Sequence, residues 1–472
     1  MTSTIPAGAA PPPSPTASPP GRDSLWTPTH LPLAIAAVTL VTLGAYENRA
    51  VITVLPRIVE ELDGMQWFGL ASGASSLTFL VATALAGVVS DHVGPRPVLV
   101  AGVTTFVLAQ AITGLAPSIA VLLAGRAASG VAEGLLDIGL LVLIADGLPS
   151  RLRAKVFALF AIAWMLPSLL GPFVAGVVAE HWGWRAVFLT PLVLLAPATL
   201  ALAPSLRLAR PRTPSSWTPD EGGTVAAAAL VAGAVAALTW GGAALTTSAL
   251  ALPAVAAGAV VMALAWRHLL PRGTASLAPG VPATVAIRLL VTATFTGLGT
   301  FLPLLLVSVH HVSLRLAGIS LAVTGTFWAV GSMLSSRDAV LASTTPAQRV
   351  RGAMLLMVVG AAGPALLALG VVGLAVGMLG WCLSALGMGI AANTLAVHTV
   401  DIAPDDSQGE VNAAVTLAAA LGGSLATAVG GAVIAARADH LTGTPFALIV
   451  VASAALGVVA VAGAHRLVPE DS

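Results

Sequence analysis

Few residues in this chain are equipped for chemistry, because only 9% of its 472 residues are charged. Arg126, Gly130, Glu133 and Asp137 are spaced by four, three and four positions, the repeat of a single helix face. In a stretch this apolar such a face cannot meet hydrocarbon, so it must look into a bundle or a wet cavity. Arg126 and Glu133 lie ~10 Å apart along a helix axis, and Glu133 and Asp137 only one turn apart. Two carboxylates that close should not both stay ionised. One is expected to take up and release a proton, with Arg126 as the neighbouring countercharge and the pair titrating as a unit. The structural alternative is an ion network that merely locks helices together. Glu47 stands mid-stretch between Tyr46 and Asn48, two positions before Arg49. Residues two apart on a helix do not face each other, which argues against a Glu47–Arg49 pair and makes Glu47 a further proton candidate. The expected order is Glu133, then Glu47, then Asp137; a role for Arg49 stays open.

Other chemistries have little to work with. His310 and His311 have no carboxylate or cysteine at ligand spacing, which argues against a metal site. The one cysteine, Cys382, leaves no partner for an intramolecular disulfide or a thiolate cluster. No G-x-x-x-x-G-K-[ST] loop is present, so ATP-driven transport by this chain alone is not expected. No Ser/His/Asp, His/His or paired-Asp constellation suggests an enzyme. No cofactor is expected, and the energy source is a proton gradient.

The elements that position these residues follow from composition. Apolar residues make up 57% of the chain and the mean hydropathy is +0.95, whereas soluble domains carry about 25% charged residues. The protein therefore reads as an integral membrane protein. Its 21 basic and 20 acidic residues nearly cancel, so no basic surface invites nucleic acid. With about 20 apolar residues needed per crossing, stretches appear near 32–57, 66–90, 97–116, 119–147, 155–179 and 185–204. Two more lie near 224–244 and 249–269. Six follow near 284–308, 315–335, 350–371, 373–399, 410–436 and 444–466. That makes fourteen spans in an all-α membrane protein, the pair 350–371 and 373–399 being divided by little more than Gly370 and Gly373.

The implied organisation is a disordered tail (1–30, rich in proline), a six-helix bundle (31–204), a linker (205–223), two additional helices (224–269), a loop (270–283), a second six-helix bundle (284–466) and a short tail (467–472). No basic segment precedes a short apolar core at the start, so no cleaved signal peptide is expected. If the N-terminus is cytoplasmic, fourteen Lys or Arg residues fall in inside loops and four (Arg57, Arg185, Arg315, Arg437) outside. That asymmetry predicts cytoplasmic termini in the plasma (inner) membrane, although Asp401, Asp405, Asp406 and Glu410 make one inside loop acidic.

Several motifs add a resemblance. Gly87-Val-Val-Ser-Asp91-His-Val-Gly94-Pro-Arg96 resembles the G-x-x-x-D-x-x-G-R loop of the major facilitator superfamily, with the basic residue displaced by one. Its glycines are expected to allow a tight turn and close helix approach, and its Asp to cap or charge-pair at a helix end. Arg126-Ala-Ala-Ser-Gly130 resembles R-x-x-Q-G. Gly171-Pro172-Phe-Val-Ala-Gly176 resembles the antiporter motif G-P-x-x-G-G, and His181-Trp182-Gly183-Trp184-Arg185-Ala-Val-Phe188 the W-G-W-R-x-x-F start of span six. Glu47, nine residues before Pro56, falls where fourteen-spanner drug/proton antiporters (EmrB/QacA type) carry an acid. Trp240-Gly-Gly, Leu302-Pro303 and Ala317-Gly318 are similar to that subfamily too.

The resemblance implies the superfamily fold, two six-helix bundles plus two extra helices, rocking about a midplane site, with Pro167, Gly171, Pro172 and Gly176 loosening span five. It implies export of amphipathic or cationic organic compounds in exchange for protons, by a monomer in the bilayer, conferring multidrug resistance. Trp164, Met165, Phe327, Trp328, Trp381, Met388 and Asn393 are candidates for the cavity wall, although aromatic residues in such spans also serve as ordinary packing. His398 is either cavity-lining or a mark of a wet helix end, and Arg288 reads as a snorkelling side chain. The alternatives are a dedicated exporter of one endogenous metabolite, antibiotic or lipid, and a non-transporting membrane sensor or scaffold.

Overall fold

The computed structural model describes residues 25–467 apart from 26, 29, 211, 213–217, 246 and 404–407. Nearly all of the expected disordered tail lies outside these residues, as do Pro211 and Pro214 of the linker and Asp405 and Asp406 of the acidic loop. Helices run in the order α1 (Leu31–Glu61), α2 (Phe68–Val93), α3 (Pro95–Gly114), α4 (Ile119–Gly147), α5 (Ser150–Trp182), α6 (Trp184–Ser205), α7 (Pro219–Ala243) and α8 (Ala251–Leu269). They continue with α9 (Val281–Gly299), the short α10 (Leu302–Leu304), α11 (Leu314–Ser335), the short α12 (Asp338–Ser343), α13 (Pro346–Ala368), α14 (Leu374–Ile402), α15 (Gln408–Ala435) and α16 (Gly443–Gly463).

Thirteen of the described segments are long and apolar enough to cross a bilayer, α9 and α10 running together as Val281–Val309. The protein is thus a multi-pass membrane protein. The expected fourteenth crossing is α8, whose apolar part, Ala251–Trp266, is shorter than the others. It falls below the ~20 residues a 30 Å hydrocarbon layer requires. The narrow division between α13 and α14 is made at Gly370. Its φ of +72° is the left-handed conformation that ends a helix, and Val371 N–H closes back onto the Leu366 carbonyl at 2.9 Å.

Two further left-handed glycines turn the chain between spans without a loop. Gly94 (φ +84°) joins α2 to α3 and Gly183 (φ +80°) joins α5 to α6. After Gly183, Trp184 Nε1 donates to Glu61 at 3.0 Å and Arg185 bonds the same carboxylate at 2.6 Å, with its guanidinium 4.3 Å over the Trp184 ring. The W-G-W-R stretch thereby pins the start of α6 to the end of α1. At the opposite end of the first bundle, Arg212 reaches Asp146 at 2.8 and 3.2 Å, fastening the chain after α6 to the end of α4. Thr218 and Glu221 then form a reciprocal cap that starts α7.

Small residues set the helix spacing. In the first bundle α2 and α4 meet so closely that a Cβ on Gly130 would run into the Ser75 carbonyl oxygen, and one on Gly134 would sit 2.7 Å from Ala82 Cβ. The two halves touch along α5 with α11 and along α2 with α15. A Cβ on Gly318 would collide with the Pro172 carbonyl, one on Gly176 would come within 2.6 Å of the Leu314 carbonyl, and one on Gly69 within 2.6 Å of Gly431 Cα.

Gly176 and Gly318 therefore act at the crossing between bundles. α5 runs unbroken for 33 residues with Pro167 and Pro172 inside it, each of which removes one N–H from the helix ladder. Gly87 has open space where its Cβ would go, so within that loop Gly94 carries the turn and Gly87 makes no close approach. On the side of the α1–α2 turn a shared apolar core, including Val51, Phe68, Phe301 and Ile434, seals the halves together. Glu180 on α5 accepts the Arg315 backbone N–H there at 3.0 Å. The pair α7 and α8 is not a free tether, because α7 packs on both α2 and α15.

Gly318→Leu is expected to force α5 from α11 and cost about 1–3 kcal/mol, lowering the melting temperature of the detergent-solubilised protein. Gly87→Ala, with open space and a helical backbone, should be neutral or stabilising by up to about 1 kcal/mol. Equal losses in both would contradict this account of the glycines.

Candidate functional site

The site forms where α1, α2 and α4 meet. Arg126 on α4 lies in direct ion-pair contact with Glu47 on α1, their side chains only 3% and 4% exposed. The rest of the guanidinium is taken up by α2: Nη2 donates to Ser75 Oγ at 2.8 Å and Nε to the Ala71 carbonyl at 3.5 Å. A buried charge costs several kcal/mol unless it is both paired and hydrogen-bonded, and Arg126 is both. The close approach allowed by Gly130 brings α2 near enough to complete this shell, and Thr78 Oγ1 donates to the Ala127 carbonyl at 2.7 Å in the same seam.

This pairing changes the expected partnership. Arg126, Glu133 and Asp137 do share a face, but the countercharge bonded to Arg126 comes from another helix. No ion pair or hydrogen bond holds the Glu133 or Asp137 side chain among the described residues. Both carboxylates border a small void beside α1, with Gly44, Phe106 and Trp164. Glu133 also opens onto a cavity of about 880 Å³ between α2, α7 and α15, whose wall includes Asn48, Ser72, Asn412 and Thr416. It is close enough to Glu47, Asp137 and Arg126 to feel their charges. Glu133 is thus an unpaired carboxylate on a cavity wall, while Glu47 is a committed one.

A second cavity of about 620 Å³ lies between α1, α5, α9, α11 and α14, sharing Ile52, Trp164, Thr296 and Thr300 with the first. Trp164, Met165, Trp328, Trp381 and Met388 line it. Phe327 does not: it is one position and about 100° around the helix from Trp328, and 37% exposed. Asn393 does not either, because its amide donates to Ser335 and Ser336 at 2.9 and 3.2 Å, tying α14 to the end of α11. His398 is likewise occupied, against the Leu467 carbonyl at 3.1 Å. Arg288 lies on α9, half-buried, with its Nε shut away from solvent and without a partner.

Of the motif residues, Asp91 and Arg96 are exposed at the α2–α3 turn, away from both cavities, where Asp91 adds to the negative field around Arg212. The hydrogen bond and charge of Asp146 on this guanidinium push its proton affinity above the ordinary arginine value. Gly171 serves the site indirectly, since the space where its Cβ would stand lies 3.5 Å from Arg49 Cβ. Sequence reasoning passed over Ser75 and Ala71, which no spacing signals. It also passed over Thr292, Thr296 and Thr300, whose four-residue repeat does signal a polar face on α9 turned to the cavity. No group of three or more His, Cys, Asp or Glu side chains is placed to hold a metal among the described residues.

Comparisons with known proteins agree with this architecture. The family model described as Major Facilitator Superfamily matches residues 35–427. Among curated relatives, an Acurin A biosynthesis cluster MFS-type transporter of Aspergillus aculeatus is 27% identical over 44% of this chain and 38% of its own length. The MFS efflux transporter aclA of Aspergillus oryzae is 30% identical over 37% of this chain and 32% of its own. Multidrug transporter protein MdtP of Bacillus subtilis is 27% identical, again over 37% and 32%. The chain therefore spans only about a third of the length of these relatives.

Among solved structures, a bacterial homologue of the human lysosomal transporter Spinster, in an inward-facing and occupied conformation, superimposes with a TM-score of 0.63 at 16% identity. That match covers 93% of this chain and 97% of the other. The POT family transporter PepTSo gives 0.66 at 13% identity, over 93% and 98%. At such identities these matches speak for the fold alone.

Breaking the buried pair from one side should be far worse than removing both charges. Arg126→Gln is expected to cost about 3–5 kcal/mol by stranding Glu47, and Glu47→Gln with Arg126→Met should recover much of that loss. Folded yield and melting temperature in detergent read the cycle. A double variant as unstable as the sum of the singles would show that the two charges do not stabilise each other.

Proposed function

This chain belongs to the Major Facilitator Superfamily, and we propose that it is a proton-coupled exporter of amphipathic organic compounds working by alternating access. We assign it to the fourteen-spanner drug/proton antiporter type, with the whole of α8, 19 residues including the less apolar end after Trp266, as the fourteenth crossing. The insertion of α7 and α8 between two six-span halves supports that assignment, as do the efflux and multidrug transporters among its relatives. The observation that carries the proposal is Glu133, a carboxylate on the cavity wall with no partner, beside an arginine already committed to Glu47.

Such a carboxylate can change its charge without dismantling the bundle. It takes a proton when the cavity faces the proton-rich side and releases it when the cavity faces the other. Closing an apolar seam over a neutral Glu133 costs less than closing it over an anion. Proton binding therefore biases one conformation over the other, by as much as its affinities for the two differ. Asp137, one turn further along and bordering the same void, is the relay. Glu47 holds Arg126 in place and anchors α1 to α4.

The distribution of Lys and Arg supports cytoplasmic termini in the plasma membrane. The sealed side, at the α1–α2 turn, is then external, and the arrangement described here is inward-facing. Its two cavities form the inward vestibule, and the glycine crossings of α5 on α11 and of α2 on α15 are the surfaces that part when it turns outward. A dedicated exporter of one endogenous metabolite is the second reading, favoured by the biosynthesis-cluster transporter among the relatives.

In proteoliposomes, Glu133→Gln is expected to reduce transport driven by an imposed pH gradient at least tenfold while leaving equilibrium substrate binding measurable. Asp137→Asn should slow it less. Undiminished pH-driven transport by Glu133→Gln would end the assigned role. Cells carrying the wild-type protein should survive a panel of lipophilic antibiotics better than cells carrying Glu133→Gln. Protection against a single compound would favour the dedicated exporter.

A further inference from the structure

Arg49 is a charged group that proton transfer leaves unused, and it lines a cavity. It follows Glu47 by two residues on α1, and its guanidinium has neither an ion pair nor a hydrogen bond among the described residues. Its Nε is closed off from solvent without an acceptor, and the side chain lines the 620 Å³ cavity, in whose wall it is the only charged residue among those described. An unmatched cation in a bilayer-embedded site is expensive, so whatever enters the cavity is favoured if it brings the matching charge.

The rest of the wall says what such a molecule looks like. Phe295 and Trp381 are stacked with centroids 4.8 Å apart at 18°, and Trp328 meets Phe295 edge-on at 5.1 Å and 83°. Gly299 makes room for this cluster, since a Cβ there would stand 2.8 Å from the Trp381 ring. The wall thus offers flat aromatic surfaces and one cationic side chain, Arg49, and no carboxylate among the described residues. Glu133 faces the other cavity.

We propose that this cavity binds amphipathic aromatic anions, with a ring packed against Trp381, Phe295 and Trp328 and a carboxylate or acidic phenolate paired with Arg49. This departs from the cationic substrates expected from the sequence. Guanidinium and carboxylate can meet through two parallel hydrogen bonds, and the volume lies within the range of small-molecule sites. The assignment rests on this cavity being the substrate path of the proposed exporter, and it specifies the substrate's charge.

The test is equilibrium binding of radiolabelled naphthoate to the purified full chain, competed by naphthamide and by naphthylmethylammonium, which keep the ring and change the charge. Naphthoate should bind at least tenfold more tightly than either. Arg49→Gln should bring acid and amide within about threefold of each other, Arg49→Lys should keep part of the preference, and Trp381→Leu should weaken all three ligands together. Naphthylmethylammonium binding as tightly as naphthoate, or an unchanged acid-to-amide ratio in Arg49→Gln, would overturn the proposal. If Arg49→Gln does not fold, the wild-type ranking decides alone. Because the measurement uses no gradient, its failure is distinct from a failure of proton coupling, which the Glu133→Gln transport assay reads.

Discussion

The ion pair between Glu47 on α1 and Arg126 on α4 is the interaction on which the rest of the site depends. Neither charge could be kept in this bundle alone, and neither is satisfied by its own helix. Ser75 and Ala71 on α2 complete the shell around the guanidinium, so three helices are held in one register by a single side chain. The same commitment takes Arg126 away from Glu133. A carboxylate clamped by that guanidinium would be a structural ion; one left on a cavity wall can exchange protons with whatever the cavity contains.

Around this fixed point the bundle is assembled mostly from absences of side chain. Gly130 and Gly134 let α2 approach α4, and Gly69, Gly176 and Gly318 let the halves approach each other. In a lipid environment there is little hydrophobic drive between helices, and close van der Waals contact supplies the association. Contacts made by small residues involve no interlocking of long side chains, so surfaces of this kind can separate and re-form with little rotamer rearrangement. The apolar seal near Phe68 and Phe301 and the Glu180–Arg315 contact reinforce one such closed arrangement.

The charges divide accordingly. Arg126 is structural, Glu133 and Asp137 are held by no partner among the described residues, and Arg49 stands before an aromatic wall. Glu47 and Arg49 are two residues apart in the chain and serve different neighbours, because a helix turns about 100° per residue and sends them to different faces. Local sequence thus places opposite charges side by side without pairing them, and the bundle then supplies a partner to one and a cavity to the other.

Much of the architecture was legible in the residues themselves. Length and hydropathy alone mark where helices cross, since a 30 Å layer tolerates no unpaired backbone. The four-three-four spacing of Arg126, Gly130, Glu133 and Asp137 alone puts them on one face, and Gly94, Gly183 and Gly370 mark turns by the backbone only glycine adopts readily. The shortness of α8 is a local property too, visible once its apolar core is measured as strictly as the others. What no spacing could decide was which charge meets which. Glu47 and Arg126 are 79 residues apart, and their contact exists only because α1 and α4 are packed side by side. That Arg49 faces a cavity, that Phe327 and Asn393 do not line it, and that Gly176 closes a crossing all depend on neighbouring helices. Periodicity gives a residue its face on its own helix; only packing determines what that face meets.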